Sequence, residues 1–295
     1  MKDPFYTTPP FYGEYVKKLC QLKKCYGFLK LGCIGHSVQG RKIYALFLGN
    51  MNGPVIYAGA FHPLEWLTQS LLVRFSQELC KSICESRELK SALCKRGVII
   101  VPCVNPDGVE LLLSAGKTAG LFKPLTDRIS GGDYRMWNAN IRGVDLNHNF
   151  DAGHGILRKM EKSAGINGPS IRRFGGFKPH SEPETRALVS LCRRFSASRV
   201  YAFHSQGEEI FYRYGDKIPV GAESMARMLS ISSGYSLQTQ DGLASHGGFK
   251  DWFINEFDSP GFTIEIGRGK NPLPINELSP IFARLYEMMI LGLVI

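Results

Sequence analysis

His62 and Glu65 stand three residues apart in "YAGAFHPLEWLTQSLL", Tyr57 to Leu72, where a β-rich run gives way to an amphipathic segment. Two more polar groups occupy similar ground: His204 opens "HSQGEE" after the run "RVYAF", and Glu265 lies inside "GFTIEI". Two imidazoles and one carboxylate from separate segments, with a fourth position left for water, form the donor set of a catalytic zinc. A histidine at a strand end and a glutamate on the next helical turn can converge on one point, and His204 can reach it from a parallel neighbour. Taken alone, each residue has an ordinary alternative. His62 suits a helix entrance, Glu65 a first helical turn where the dipole favours an acid, and His204 a capped strand end. Glu265 is harder to place in this way. A carboxylate among the β-branched and aromatic neighbours of "FTIEIG" is buried at a cost unless it serves a site.

The elements that position these groups follow from the hydrophobic pattern. Four β-rich runs, residues 54–61, 97–104, 199–203 and 261–266, each end against polar or glycine-bearing residues, as buried strands feeding functional loops do. Leu67, Leu71, Phe75, Leu79 and Ile83 recur every four residues and predict a helix over about 65–86 with one apolar face. "SEPETRALVSLCRRF" predicts another, with Ser181 and Glu184 as a capping box and Pro183 tolerated in the first turn. "SPIFARLYEMMILGLVI" predicts a last helix on the sheet. Strands alternating with helices imply a mostly parallel or mixed sheet covered on both faces, with ligands outside the carboxyl ends of the strands. Residues 113–134 and 153–178 read as long surface loops. The expected organisation is a helical lead-in, 1–33, packed on one domain, 34–295.

At 295 residues, 44% hydrophobic and 21% charged, the chain has the composition of a soluble globular protein able to bury a sizeable core. No signal-peptide run or membrane-length apolar stretch is visible, so the expected location is cytoplasmic, with no membrane span. The eight cysteines include no C-x-x-C pair and predict free thiols. Net charge is +10, from basic pairs scattered along the chain with no nucleic-acid motif beside them. That excess is a solvated basic surface or an attraction for an anionic substrate.

The set "FHPLEW", "VNPDG", "RMWNANIRGVDLNHNF", "AFHSQG" and "FTIEIG", in this order, resembles the zinc carboxypeptidase family from "IGHSVQGRKI" near residue 34 to the C-terminus. The resemblance implies a three-layer α/β/α sandwich with a mixed, mainly eight-stranded sheet, and one zinc ion held by His62, Glu65 and His204. Glu265 matches the family's general base, which moves a proton from the attacking water to the leaving amine. Arg135 falls on the motif's first arginine. The second, an oxyanion partner, is replaced by Asn138, whose amide N–H can still donate to a developing oxyanion but brings no charge.

Departures from the family pattern shape the expected substrate. Asn147 of "DLN" is kept, but the arginine that follows it in carboxypeptidases is His148 here. Imidazole cannot reproduce a guanidinium's bidentate grip on a terminal carboxylate, and hydrogen bonds to charged groups contribute about 1.5 to 3 kcal/mol each. The family's mobile tyrosine is absent from "DGLASHGGFKDW", with His246 its nearest polar substitute, and Lys250 falls where the resemblance puts the floor of the leaving-residue pocket. "WNANIRGVDLN" is most similar to the bacterial branch that cuts γ-D-glutamyl-diaminopimelate bonds in peptidoglycan peptides. A peptide or muropeptide is therefore the expected partner. The alternatives are a carboxypeptidase for acidic C-terminal residues, using His148 and Arg142, and a non-catalytic cell-wall-peptide-binding protein.

Overall fold

The structure, a computed structural model, describes residues 3–239 and 242–295. Eight strands form one sheet: β1 (Lys30–His36), β2 (Lys42–Leu48), β3 (Val55–Ala58), β4 (Val98–Val101), β5 (Arg199–His204), β6 (Glu209–Phe211), β7 (Ser236–Gln238) and β8 (Gly261–Glu265), in the order β1-β2-β4-β3-β5-β8-β6-β7. The inner four, β4, β3, β5 and β8, run parallel, while β2 and β6 pair antiparallel to them. The carboxyl ends of β3, β5 and β8 therefore open at one edge, and His204 and Glu265 are direct register partners there.

The described helices are α1 (Tyr12–Cys25), α2 (Leu67–Glu85), α3 (Arg87–Lys95), α4 (Pro106–Leu113), α5 (Lys123–Ser130), α6 (His154–Ser163), α7 (Pro183–Phe195), α8 (Ala222–Ser233), α9 (Phe249–Phe257) and α10 (Leu278–Val294). Strand alternation divides the core in two. Val55, Tyr57, Tyr201 and Phe203 pack under α1, α2, α8 and α10, whereas Ile56, Ala58, Val200 and Ala202 pack under α7 and α9. This is the three-layer α/β/α arrangement with a mixed sheet. No described helix is long and apolar enough to cross a membrane, and all eight cysteines are free.

The structure departs from the sequence pattern in three places. The capping box at Ser181 does not form: α7 begins at Pro183 behind Glu182, and the Glu184 carboxylate is drawn inward to accept the Val38 N–H at 3.0 Å. The segments read as long loops contain α5 and α6, whose amphipathic faces were hidden among glycines and cations. The boundary at residue 33 falls inside β1, which is an edge strand of the same sheet.

Candidate active site

The chain leaves β3 through Gly59 and Ala60, the latter at φ 49°, and His62 follows in extended conformation before a 3-10 turn at Pro63–Glu65. "VNPDG" secures this turn. Asn105 caps α4 by accepting the Gly108 N–H, and its amide donates to the carbonyls of Phe61 and Ala139. Gly108 has no room for a side chain, since a Cβ there would lie 2.6 Å from Pro63 Cγ and 2.7 Å from the Ala139 carbonyl oxygen. Asp107 faces the other way and ties down the β1–β2 connection through Ser37 Oγ, the Gln39 N–H and Arg41.

On this support the three expected ligands meet. Each Glu65 oxygen faces one imidazole: Oε1 lies 2.9 Å from His62 Nδ1, and Oε2 lies 2.8 Å from His204 Nδ1. The ligand atoms of all three residues lie within 4.8 Å of one another, the one such cluster among the described residues. Phe61 stacks on His204 with ring centroids 5.0 Å apart, fixing the plane of that ring. Two Nδ1 atoms and a carboxylate converging from separate segments suit a single zinc ion.

The electrostatics point the same way. Burial works against a charged His62, but Glu65 and Asp145 on its two sides raise its pKa well above the ordinary value. Burial also opposes the Glu65 carboxylate, yet the two imidazoles bring its pKa down to about 2. A divalent cation held there would supply the positive charge that Glu65 and Asp145 favour, in place of the imidazole proton. Burial, reinforced by Glu65 and by Glu209 across the β6–β8 pair, pushes the Glu265 carboxyl well above its usual range.

One functional residue escaped the sequence reading. Asp145 Oδ1 lies 2.9 Å from His62 Nε2, the ring nitrogen opposite the one that meets Glu65, and Asp145 Oδ2 accepts the Arg173 N–H at 2.8 Å. A carboxylate behind a ligating histidine sets its tautomer and direction. The available signal was an acid inside "VDLN", a motif read only for Asn147 and its neighbour.

The remaining candidates lie at varied distances from this cluster. Asn138 borders it: its Oδ1 accepts the Leu64 N–H at 3.3 Å, so the amide nitrogen is the end left to donate. Asn147 accepts the Phe249 N–H at 3.0 Å, joining the "DLN" turn to the start of α9. His148 is near Asp145, but its Nδ1 is 3.1 Å from the Arg173 carbonyl oxygen and 3.5 Å from Glu161, so the ring is engaged inward. His246 pairs with the Tyr214 hydroxyl at 3.1 Å, and Arg135 pairs with Asp133 in solvent, 87% exposed. Lys250 is buried with its ammonium on Asp251 and on the Arg213 carbonyl, because a buried cation without a partner is costly.

A His-Glu-His centre at the carboxyl edge of a mixed eight-stranded sheet, with a buried glutamate beside it, defines a metallopeptidase site. The family model described as "Zinc carboxypeptidase" matches residues 16–287, and the chain belongs to that family: it is a zinc metallopeptidase using one zinc ion. It is 32% identical over 275 residues to "Uncharacterized protein YqgT" of Bacillus subtilis (strain 168), covering 90% of this chain and 72% of the relative. It is 31% identical over 290 residues to "Gamma-D-glutamyl-L-diamino acid endopeptidase 1" of Lysinibacillus sphaericus, covering 96% and 72%. The fold is similar to that of thrombin activatable fibrinolysis inhibitor, with TM-score 0.76 at 19% identity, covering 99% of this chain and 75% of the other.

Proposed function

We propose that this peptidase hydrolyses the γ-D-glutamyl-diaminopimelate bond of bacterial peptidoglycan peptides. The observation that carries the reading is the inward engagement of His148. The residue after Asn147 is held by the Arg173 carbonyl and Glu161, and Arg142 leans on Glu182 at 3.6 Å, so neither supplies a guanidinium clamp for a chain-terminal carboxylate. Such a site favours a bond whose leaving residue need not be a terminal α-linked amino acid. The relative from Lysinibacillus sphaericus, whose name specifies a γ-D-glutamyl-diamino acid endopeptidase, supports the same choice.

His62, Glu65 and His204 would hold the zinc, which when bound polarises the scissile carbonyl and makes water more acidic. Asp145 keeps the His62 ring turned so that Nδ1 faces the centre. Glu265 takes a proton from the attacking water as the new C–O bond forms, then delivers it to the amine nitrogen as the C–N bond breaks. A buried carboxylate beside the attacking water can carry out both halves of that transfer. Asn138 presents its amide nitrogen beside the 63–65 turn, where a donor can stabilise negative charge on the carbonyl oxygen.

The test is product analysis by mass spectrometry. L-Ala-γ-D-Glu-meso-diaminopimelate should yield L-Ala-D-Glu and free diaminopimelate, while an α-linked peptide ending in glutamate is cut far more slowly. The reverse preference would establish an acidic-residue carboxypeptidase instead.

A further inference from the structure

Behind Asp145 stands a second buried carboxylate that takes no part in the proton transfer. Glu161 lies in the last turn of α6 at 0% exposure. Neither circumstance favours an acid, since the carboxyl end of a helix repels negative charge and burial opposes it. Its two oxygens face different groups. Oε2 is paired with Arg158 one turn earlier on the same helix, and Oε1 accepts the Gly175 N–H at 2.8 Å, with His148 Nδ1 3.5 Å away.

Gly175 belongs to the segment that holds Asp145. Arg173 donates its N–H to Asp145 Oδ2 at 2.8 Å, and the Phe174 carbonyl accepts the Asp145 N–H at 2.7 Å. Arg173 makes its bond at φ 66°, a left-handed conformation that a residue with a Cβ keeps only where its surroundings impose it. Those surroundings come largely from α6. Glu161 fixes Gly175, the Arg158 guanidinium lies over the Phe174 ring at 4.7 Å, and His154 Nε2 is 3.2 Å from the Gly175 carbonyl oxygen, which also accepts from the Asn149 amide at 2.7 Å. A Cβ at Gly175 would lie 2.4 Å from the His148 carbonyl oxygen, so the segment has no slack on that side.

We propose that Glu161 is a positioning residue of the metal centre. Through Gly175 it holds the 173–175 segment, the segment holds Asp145, and Asp145 keeps His62 Nδ1 turned to the centre. α6 is thus the outer support of the zinc site, whichever bond the enzyme cuts.

The experiment reads zinc affinity by chelator competition, beside thermal melting. Arg158→Met/Glu161→Leu removes both buried charges at once, which avoids leaving either unpaired. It should weaken zinc by about tenfold, the lower end for a partner outside the ligands. Glu161→Gln keeps an oxygen for the Gly175 N–H and should stay within about threefold of wild type. The decisive comparison is with Asp145→Ala. A contribution that passes through Asp145 disappears once that carboxylate is gone, so Asp145→Ala/Arg158→Met/Glu161→Leu should bind zinc as Asp145→Ala does, whereas a general loosening of the fold adds its full cost. Should the apolar pair melt below the assay temperature, Glu161→Asp takes its place: it retains the charge beside Arg158, withdraws the oxygen from Gly175 by one methylene, and should weaken zinc in the same direction. Affinity within about twofold of wild type in a folded variant lacking the Gly175 bond, full additivity with Asp145→Ala, or a Glu161→Gln loss as large as that of the apolar pair overturns the proposal.

Discussion

Asp145 holds His62 from behind, and its contribution can be separated from that of the ligands. Removing such a partner typically costs ten- to a hundredfold in metal affinity. Asp145→Ala should therefore weaken zinc by about 10- to 100-fold in a chelator competition, with the circular dichroism spectrum unchanged. An affinity within twofold of wild type would refute the assignment. Glu265→Gln should separate binding from chemistry: one zinc per chain is retained, while turnover falls by about 10²- to 10⁴-fold. The convergence of the three candidate ligands, with Glu265 in register beside His204, was legible in the sequence because each lies next to a β-rich run whose end is easy to locate. Asp145 was not, since its partner is 83 residues away in the chain. The ring direction of His148 and the burial of Lys250 were equally hidden, being set in part by the carbonyls of Arg173 and Arg213, which become their neighbours only on folding.

Glu184 shows how an element boundary can carry a charge into the core. Burial dominates at this carboxyl; the Val38 N–H lowers its pKa, nearby Asp107 and Glu182 raise it, and the outcome is a pKa of about 8. The folded pKa thus exceeds the unfolded one, so the group's stabilising contribution is complete below the ordinary glutamate value of 4.5 and is lost as pH rises through 8. Glu184→Gln cannot ionise. Its melting temperature, relative to wild type, should climb between pH 5 and pH 9, and a constant difference across that range would show that the carboxyl does not titrate as described. Gly108 makes a steric prediction at the same scale. Gly108→Ala drives a methyl into Pro63 and Ala139, an overpacking that costs about 1 to 3 kcal/mol, and zinc affinity should fall because the displaced turn carries Glu65. Periodicity located the four inner strands and α2 to within a few residues. It missed α5 and α6, and it misread Glu184 as a cap, because a capping pattern says nothing about a backbone donor arriving from β1.

For the whole molecule, zinc is a ligand of the native state alone, so its removal is a stability measurement as well as an activity one. At a hundredfold excess over its dissociation constant it should stabilise the fold by about 2.7 kcal/mol. A chelator should accordingly abolish turnover and lower the melting temperature together, with both restored by added zinc. Loss of activity with an unmoved melting transition would mean that the metal contributes little to the native state. The three-layer architecture was readable from alternating strands and helices, but the order of strands was not, because lateral neighbours such as β5 and β8 are far apart in the chain. The same topology governs when the centre can assemble. Glu65 and its partner His204 are separated by 139 positions, and β5 must dock beside β3 before they face each other. During synthesis from the amino terminus, the His62–Glu65 half emerges long before its counterpart and chelates poorly by itself. Metal loading is thus a late event, and a truncated chain ending before residue 204 should acquire no tightly bound zinc.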